Sequence, residues 1–351
     1  MTGSQARPVR LAVMGAGLIG RRHIQHVRAE PGTELVAVVD PTEAGRKVAA
    51  ENGVPWHASF RDMLATERAD GVIVATPNQV HVENGLEAVA AGIPVLVEKP
   101  IADDLAAGER LVAAAEQAGV PLLVGHHRRH NPIMQAAREI VASGRLGRIV
   151  AVNALFWLYK PDDYFDLSWR REEGAGPVFL NLIHDVDNLR YLLGEVVAVQ
   201  AVESNAVRAN AVEETSAIIL EFACGALATV SVCDTVVAPW SWEMTTGENP
   251  AYPVADEACY LLAGTAGSLS LPKLEVWFND QKPGWWEPLH RTRTGVATQD
   301  PLALQIHHFA AVIRGLERLL VDGREGLRTL EVVTAIKRAA RSGQRVSLPI
   351  A

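Results

Sequence analysis

Along the first part of the chain, short unbroken apolar runs alternate with stretches of helical period. Val9–Met14, Glu34–Val39, Gly71–Ala75, Pro94–Val97 and Val120–Val124 are such runs. Continuous apolar runs of this length predict strands of a parallel sheet covered on both faces. The segments between them read as helices; the first carries Arg21, His23 and His26 and stops near Pro31-Gly32. Beyond about Asn131 the alternation is lost. Ile149–Trp157, Val196–Val207, Thr215–Phe222, Leu227–Val232 and Cys259–Ala263 read as strands without a helix after each one, which suits a large open, mostly antiparallel sheet. Near the C-terminus, Leu302–Leu320 and Leu327–Ser342 regain helical period and are expected to pack back on the first domain. The expected fold is therefore α/β over residues 1–125, a doubly wound parallel sheet, followed by an α+β domain over 126–351. A chain of 351 residues with 48% hydrophobic content is long enough for two domains, each with its own core.

The turn after the first run is Gly15-Ala16-Gly17-Leu18-Ile19-Gly20, and the second run ends on Asp40. A lone GxGxxG is a weak signal. Between a strand and a helix, with an acid at the end of the next strand, it predicts a Rossmann dinucleotide site. Gly15 permits the tight turn, Gly17 lets the backbone approach a pyrophosphate, and Gly20 lets the helix pack on the strand. Free N–H groups at the helix start then face the anion. Asp40 accepts from the adenosine ribose hydroxyls and repels a 2′-phosphate, so NAD is expected over NADP. Ligands of such sheets bind beyond the carboxyl ends of the strands. Ala75, Thr76, Pro77, Asn78 and His81, then Glu98 and Lys99, then the stretch GHHRRHNP (residues 125–132) all follow strand ends.

Charge removes other classes. Lys plus Arg is 33 against 41 Asp plus Glu, a net charge of −8, which is wrong for neutralising nucleic-acid phosphates. No run approaches the roughly 18 apolar residues of a membrane span, and the N-terminal residues lack the apolar core of a signal peptide. The three cysteines, Cys224, Cys233 and Cys259, lack CxxC spacing and read as reduced core thiols of a cytoplasmic protein.

In order along the chain, GAGLIG, ATPNQVH, VLVEKPIA, VGHHRRHNP and GAGPVFLNLIHDVD resemble the Gfo/Idh/MocA oxidoreductases. The resemblance covers nearly the whole chain, and EKP after a buried strand with a downstream H-x-x-D helix is its specific part. It implies a metal-free, nicotinamide-dependent dehydrogenase or ketone reductase acting on a sugar, cyclitol or related polyol, assembled as a homodimer or homotetramer through the second sheet. Hydride transfer needs a group that stabilises the developing alkoxide and one that handles the hydroxyl proton. The resemblance implies Lys99 and His184 for these roles and the cofactor side for Glu98. Asp187 matches the aspartate of H-x-x-D. Many members carry Asp or Asn four residues before the histidine; here that position is Leu180, and Asn181 follows, which points Asn181 toward substrate binding.

Asn181, His184, Asp185 and Asn188 share one helical face opposite Leu182, Val186, Leu189 and Leu193. The aromatic segment before that helix adds Lys160, Tyr164, Trp169 and Arg170 as candidate substrate contacts, against the alternative that the loop anchors itself. In GHHRRHNP, His127 is a candidate for substrate and Arg128 for cofactor, Arg129 for bracing the domain junction, and Asn131-Pro132 for starting the next helix. A histidine metal site is disfavoured there by the strand exit and by Pro132. Two other readings compete: an NADP-dependent dihydrodiol or small-carbonyl oxidoreductase, and a silent NAD(H)-binding regulator, which would have lost Lys99 or His184.

Overall fold

The computed structural model describes residues 7–172 and 174–349. Its chain divides into two units, Met1–His130 with Pro301–Leu330, and Asn131–Asp300 with Glu331–Ala351.

In the first unit, β1 (Val9–Met14), β2 (Thr33–Val39), β3 (Trp56–His57), β4 (Gly71–Val74), β5 (Val95–Val97) and β6 (Leu122–Val124) form one sheet in the order β3-β2-β1-β4-β5-β6. Every pairing is parallel. The connecting helices are α1 (Leu18–Ala29), α2 (Glu43–Asn52), α3 (Phe60–Thr66), α4 (His81–Ala90) and α5 (Leu105–Ala118). β1, β4, β5 and β6 are buried along almost their full length, which is why their sequences run apolar without alternation. Chain order reverses between β1 and β4, and a doubly wound sheet binds its ligand at that switch point. The strand ends there carry the glycine turn, Ala75–Asn78 and Glu98–Lys99.

The second unit begins with α6 (Pro132–Ala142). Asn131 caps it, its side-chain oxygen accepting the Ile133 N–H at 2.9 Å, with proline in the first turn. Then follow β7 (Ile149–Trp157), α7 (Ile183–Leu193), β8 (Val196–Ser204), β9 (Thr215–Phe222), β10 (Leu227–Cys233), α8 (Trp242–Thr246), β11 (Tyr260–Gly264), β12 (Gly267–Leu271), β13 (Glu275–Phe278) and β14 (His290–Arg293). Of the last segments, α9 (Pro301–Ile313) belongs to the first unit, α10 (Gly323–Ser342) runs from the first unit into the second, and β15 (Val346–Ser347) belongs to the second. The second sheet has nine strands in the order β14-β13-β12-β11-β7-β10-β9-β8-β15, antiparallel except for β7 with β10. Burial alternates along β9 and β10, so one face is core and the other stays more open. The buried face packs on Val186, Leu189, Val333 and Ile336 of α7 and α10.

Two expected elements stop short. The strand over Val196–Val207 ends at Ser204, where Asn205 turns the chain by donating to the Asn210 carbonyl and Ala209 takes a positive φ of 56°. The helix expected over Leu302–Leu320 ends at Ile313, and Gly315 follows with φ 71°. Among the described residues, no helix is long and apolar enough to cross a membrane. Of the three thiols, Cys233 and Cys259 are core residues as expected, whereas Cys224 is exposed.

Phe156 lies fully buried in β7, at the centre of the larger sheet. Truncating a buried phenylalanine loses its transfer energy and leaves a cavity. Phe156→Ala is expected to lower stability by about 3–5 kcal/mol, measured by urea unfolding.

Candidate active site

The site residues expected from sequence fall into one group in each unit. In the first, the glycine turn is formed by backbone closeness. Gly15 has φ 90°, and a Cβ there would sit 2.5 Å from the Ala75 carbonyl oxygen; a Cβ on Gly20 would sit 2.0 Å from the Gly15 carbonyl oxygen. Larger residues cannot occupy either place without moving main chain. At Gly17, the first residue before α1, nothing comes within 4 Å of an added Cβ and no side chain caps the helix. The N–H groups at the start of α1 thus face open space, as a pyrophosphate requires. Leu18 stands 88% exposed on the lip of this turn and Ile19 is half-buried.

Asp40 is held in place. Its Oδ2 accepts the Ala16 N–H at 2.8 Å and its Oδ1 accepts the Thr42 N–H at 2.9 Å and the Thr42 hydroxyl. An open helix start, an empty glycine bend and a fixed carboxylate at the end of β2 together fit NAD.

Glu98 and Lys99 follow β5. The Glu98 carboxylate is buried; its Oε1 lies 2.7 Å from His23 Nε2, and its Oε2 accepts the Lys99 N–H at 3.1 Å. Burial by itself pushes this carboxyl up. The His23 hydrogen bond and the nearby charges of His23, Lys99 and His127 outweigh it and hold the group at about 2. Glu98 is therefore ionised at neutral pH, with one oxygen turned to His23 and the other to the chain carrying Lys99.

His81 is placed differently from the expected cofactor contact. It is buried, with Nδ1 2.8 Å from the Pro100 carbonyl oxygen and Nε2 2.8 Å from the Thr76 carbonyl oxygen. Both polar ends of the ring are taken up by backbone. Beyond β6, residues His127–His130 form a single 3-10 turn in which Arg128, Arg129 and His130 are buried and His127 is half-buried. Arg129 pairs with Glu325 at 2.9 Å, a residue of the same unit. His130 packs edge-on against His308 with centroids 5.0 Å apart. Burial, with His308 and His127 adjacent, pushes His130 down to about 3, so its ring is neutral.

In the second unit, the residues before α7 are wound as a π-helix over Val178–Leu182. Such widened turns recur at functional sites. The turn opens on Val178, whose N–H donates to Glu213 Oε1 at 3.0 Å, and Gly176 lies so close to that carboxylate that a Cβ would meet it at 2.2 Å. The other Glu213 oxygen pairs with Lys337, which also reaches Glu203 at 2.8 Å. A buried ion pair thus fixes the start of the helix that carries His184.

The expected polar face of α7 divides. Asp185 accepts a short hydrogen bond from the Tyr260 hydroxyl, and Asn188 donates to that hydroxyl at 3.1 Å, so both face the interior. Asn181 is half-buried, and its amide oxygen is enclosed without a hydrogen-bond partner. His184 is 8% exposed. The face is thus not the solvated one that the pattern allowed; Tyr260, stacked on the buried Trp242 at 5.5 Å, claims half of it.

The aromatic segment binds itself together. Lys160, expected to meet substrate, is buried and paired with Asp234 at 3.2 Å; Arg208 pairs with the same carboxylate at 2.6 Å. Arg170 lies 4.1 Å over the Tyr164 ring and donates to the Tyr164 carbonyl at 2.7 Å. Of the four residues expected to meet substrate here, Trp169, at 48% exposure, is the exposed one. Charge next to aromatics has the same sequence signature whether it meets ligand or its own loop, and Asp234 is too distant in sequence to foresee.

Residues 9–126 match the family described as the GFO/IDH/MocA oxidoreductase family, NAD-binding Rossmann fold. Residues 134–270 match the GFO/IDH/MocA C-terminal domain. The chain belongs to this family. The 1,5-anhydro-D-fructose reductase of Ensifer adhaerens is 34% identical over 189 residues, a match covering 53% of this chain and 57% of that relative, so the chain spans a little over half of that relative's length. The D-apiose dehydrogenase of Paraburkholderia graminis is 28% identical, with 96% of this chain and 89% of that one covered. Among solved structures, the WlbA dehydrogenase of Bordetella pertussis, in complex with NADH and UDP-GlcNAcA, aligns with a TM-score of 0.80 at 27% identity, covering 98% of this chain and 100% of the other.

Two outcomes follow from the buried carboxylates. Because Glu98 titrates lower folded than unfolded, its stabilisation is full above the unfolded value near 4.5 and is lost as pH falls toward about 2. The stability gap between the native protein and Glu98→Gln should therefore close over that acid range, followed by urea unfolding at a series of pH values. Glu213→Ala leaves the Val178 N–H and one Lys337 contact unmet and should cost about 1–3 kcal/mol, measured the same way at neutral pH.

Proposed function

We propose that the protein is an NAD-dependent dehydrogenase that oxidises a secondary alcohol of a sugar, inositol or related polyol, or reduces the matching ketone. The observation that carries this is Lys99, placed at the carboxyl end of a central parallel strand of an NAD-binding fold, its main chain tied to an ionised, buried Glu98. When bound, NAD supplies the hydride acceptor. Gly15–Gly20 and Asp40 hold it, with Ala75, Thr76, Pro77 and Asn78 at the neighbouring strand end. Lys99 presents its ammonium to the reacting oxygen and stabilises the charge that develops there. His184 exchanges the hydroxyl proton, a role an imidazole can fill as general acid or base. Asn181, with an enclosed oxygen that lacks a partner, accepts from a substrate hydroxyl. The names of the relatives support a sugar-like substrate, since they are a reductase of anhydrofructose and a dehydrogenase of apiose, and WlbA binds a nucleotide sugar acid.

The same proposal has subunits associating through the open face of the larger sheet, where Val202, Ile219, Leu227 and Leu261 are exposed. It also has the enzyme working in the cytoplasm, where the thiols of Cys224, Cys233 and Cys259 stay reduced.

The test is reduction of NAD+ and NADP+ over a panel of sugars, inositols, glycosides and diols, with the reverse assay on ketones. Turnover with NAD+ on at least one polyol is expected. Lys99→Ala and His184→Ala should each lower kcat about 10²–10⁴-fold. No turnover with any alcohol or ketone, or wild-type rates in Lys99→Ala, would overturn it.

A further inference from the structure

Lys99 is flanked by two buried histidines. On one side, fully buried His23 in α1 holds Glu98 Oε1 at 2.7 Å, and the other oxygen of that carboxylate holds the Lys99 N–H at 3.1 Å. On the other side, His81 opens α4 and spans two carbonyl oxygens, Pro100 after Lys99 and Thr76 after β4, both at 2.8 Å. The residues before, at and after the lysine are thus each tied by a side chain or its carboxylate partner.

The chemistry of His81 makes its contact directional. An imidazolium donates at both nitrogens, whereas a neutral ring has one donor and one lone pair. Two carbonyl oxygens, neither able to donate, therefore face a ring that satisfies both only when charged. Burial pushes the ring below its usual range, while the two carbonyls and Glu98 pull it back and Lys99 adds to the push. A hydrophobic or purely space-filling residue would donate to neither carbonyl, and the buried oxygen that the ring N–H serves would lose its donor.

We infer that His23 and His81 are positioning residues for Lys99: His23 through the Glu98 carboxylate, His81 by tying the Pro100 carbonyl to the strand end at Thr76. This rests on the assignment of Lys99 under the proposed function and adds to it what sets the lysine's position. Errors of about 1 Å in such a group cost as much as roughly a hundredfold in rate.

The test uses the full-length protein and the variants His23→Leu, His23→Gln, His81→Leu, His81→Asn and Lys99→Met. Amide hydrogen exchange in the peptide spanning residues 96–102, read by mass spectrometry without cofactor, should speed up by about tenfold or more in the leucine variants, because the segment around the Lys99 N–H loses the contacts that hold Glu98 and the Pro100 carbonyl in place. With the substrate found in the panel, kcat should fall about 10–100-fold in those variants while the NAD+ dissociation constant and substrate KM change less than about threefold. The Gln and Asn variants keep one donor and should lie between leucine and wild type, a rescue that a purely space-filling role would not produce. Unchanged exchange at residues 96–102, wild-type kcat, or loss of NAD+ affinity in step with kcat would each overturn the inference. If a leucine variant does not fold, its Gln or Asn counterpart decides by the same readouts. Lys99→Met scores the underlying assignment separately: wild-type turnover there removes the role of Lys99, whereas an inactive Lys99→Met beside wild-type histidine variants removes the brace alone.

Discussion

Everything in the first unit hangs on how closely α1 approaches β1. Gly15 turns against the Ala75 carbonyl and Gly20 against the Gly15 carbonyl, at distances that leave no room for a methyl group. That closeness does two things. It points the free N–H groups of α1 at open space, where an anion is stabilised by hydrogen bonds and by the helix dipole. It also brings the next residue of the same helix face, His23, deep enough to reach Glu98. A looser junction would shift the start of α1 and draw His23 away from Glu98 together, so the glycines act on a strand end well beyond their own turn.

The second unit solves a similar problem with charge. A π-turn followed by a regular helix has loose N–H groups and a widened backbone at its start. Glu213 accepts one of those N–H groups and is itself neutralised by Lys337. Further along, Tyr260 draws Asp185 and Asn188 inward. The helix is therefore fixed at its beginning and along one side, and Asn181 and His184 keep the orientation those contacts leave them.

Much of the fold was legible because burial on both faces writes itself into sequence as unbroken apolar runs, such as Val9–Met14 and Gly71–Val74, and one-sided burial as alternation, as in β9. The glycine turn and Asp40 were legible because each residue answers a local geometric demand. What stayed hidden depends on distant partners. His23 is 75 residues from Glu98, and nothing near it announces a carboxylate; its place three residues after Gly20, on the face that must be buried, was the one available signal. Lys160 and Arg170 looked like ligand contacts because the partners that consume them, Asp234 and the Tyr164 ring, come from the fold. His81 was placed near the cofactor by its loop, but only the structure shows its two nitrogens already in use.

The hydroxyl of Thr42 donates to Asp40 and, through the same oxygen, accepts the Gly45 N–H that starts α2. The acid at the end of β2 and the cap that begins the next helix are thus parts of one knot, with Ala16 of the glycine turn tied in from the other side. Exchanging that acid for a basic residue would therefore also release the Ala16 N–H and the Thr42 hydroxyl that caps the next helix, loosening the glycine turn and the start of α2 together.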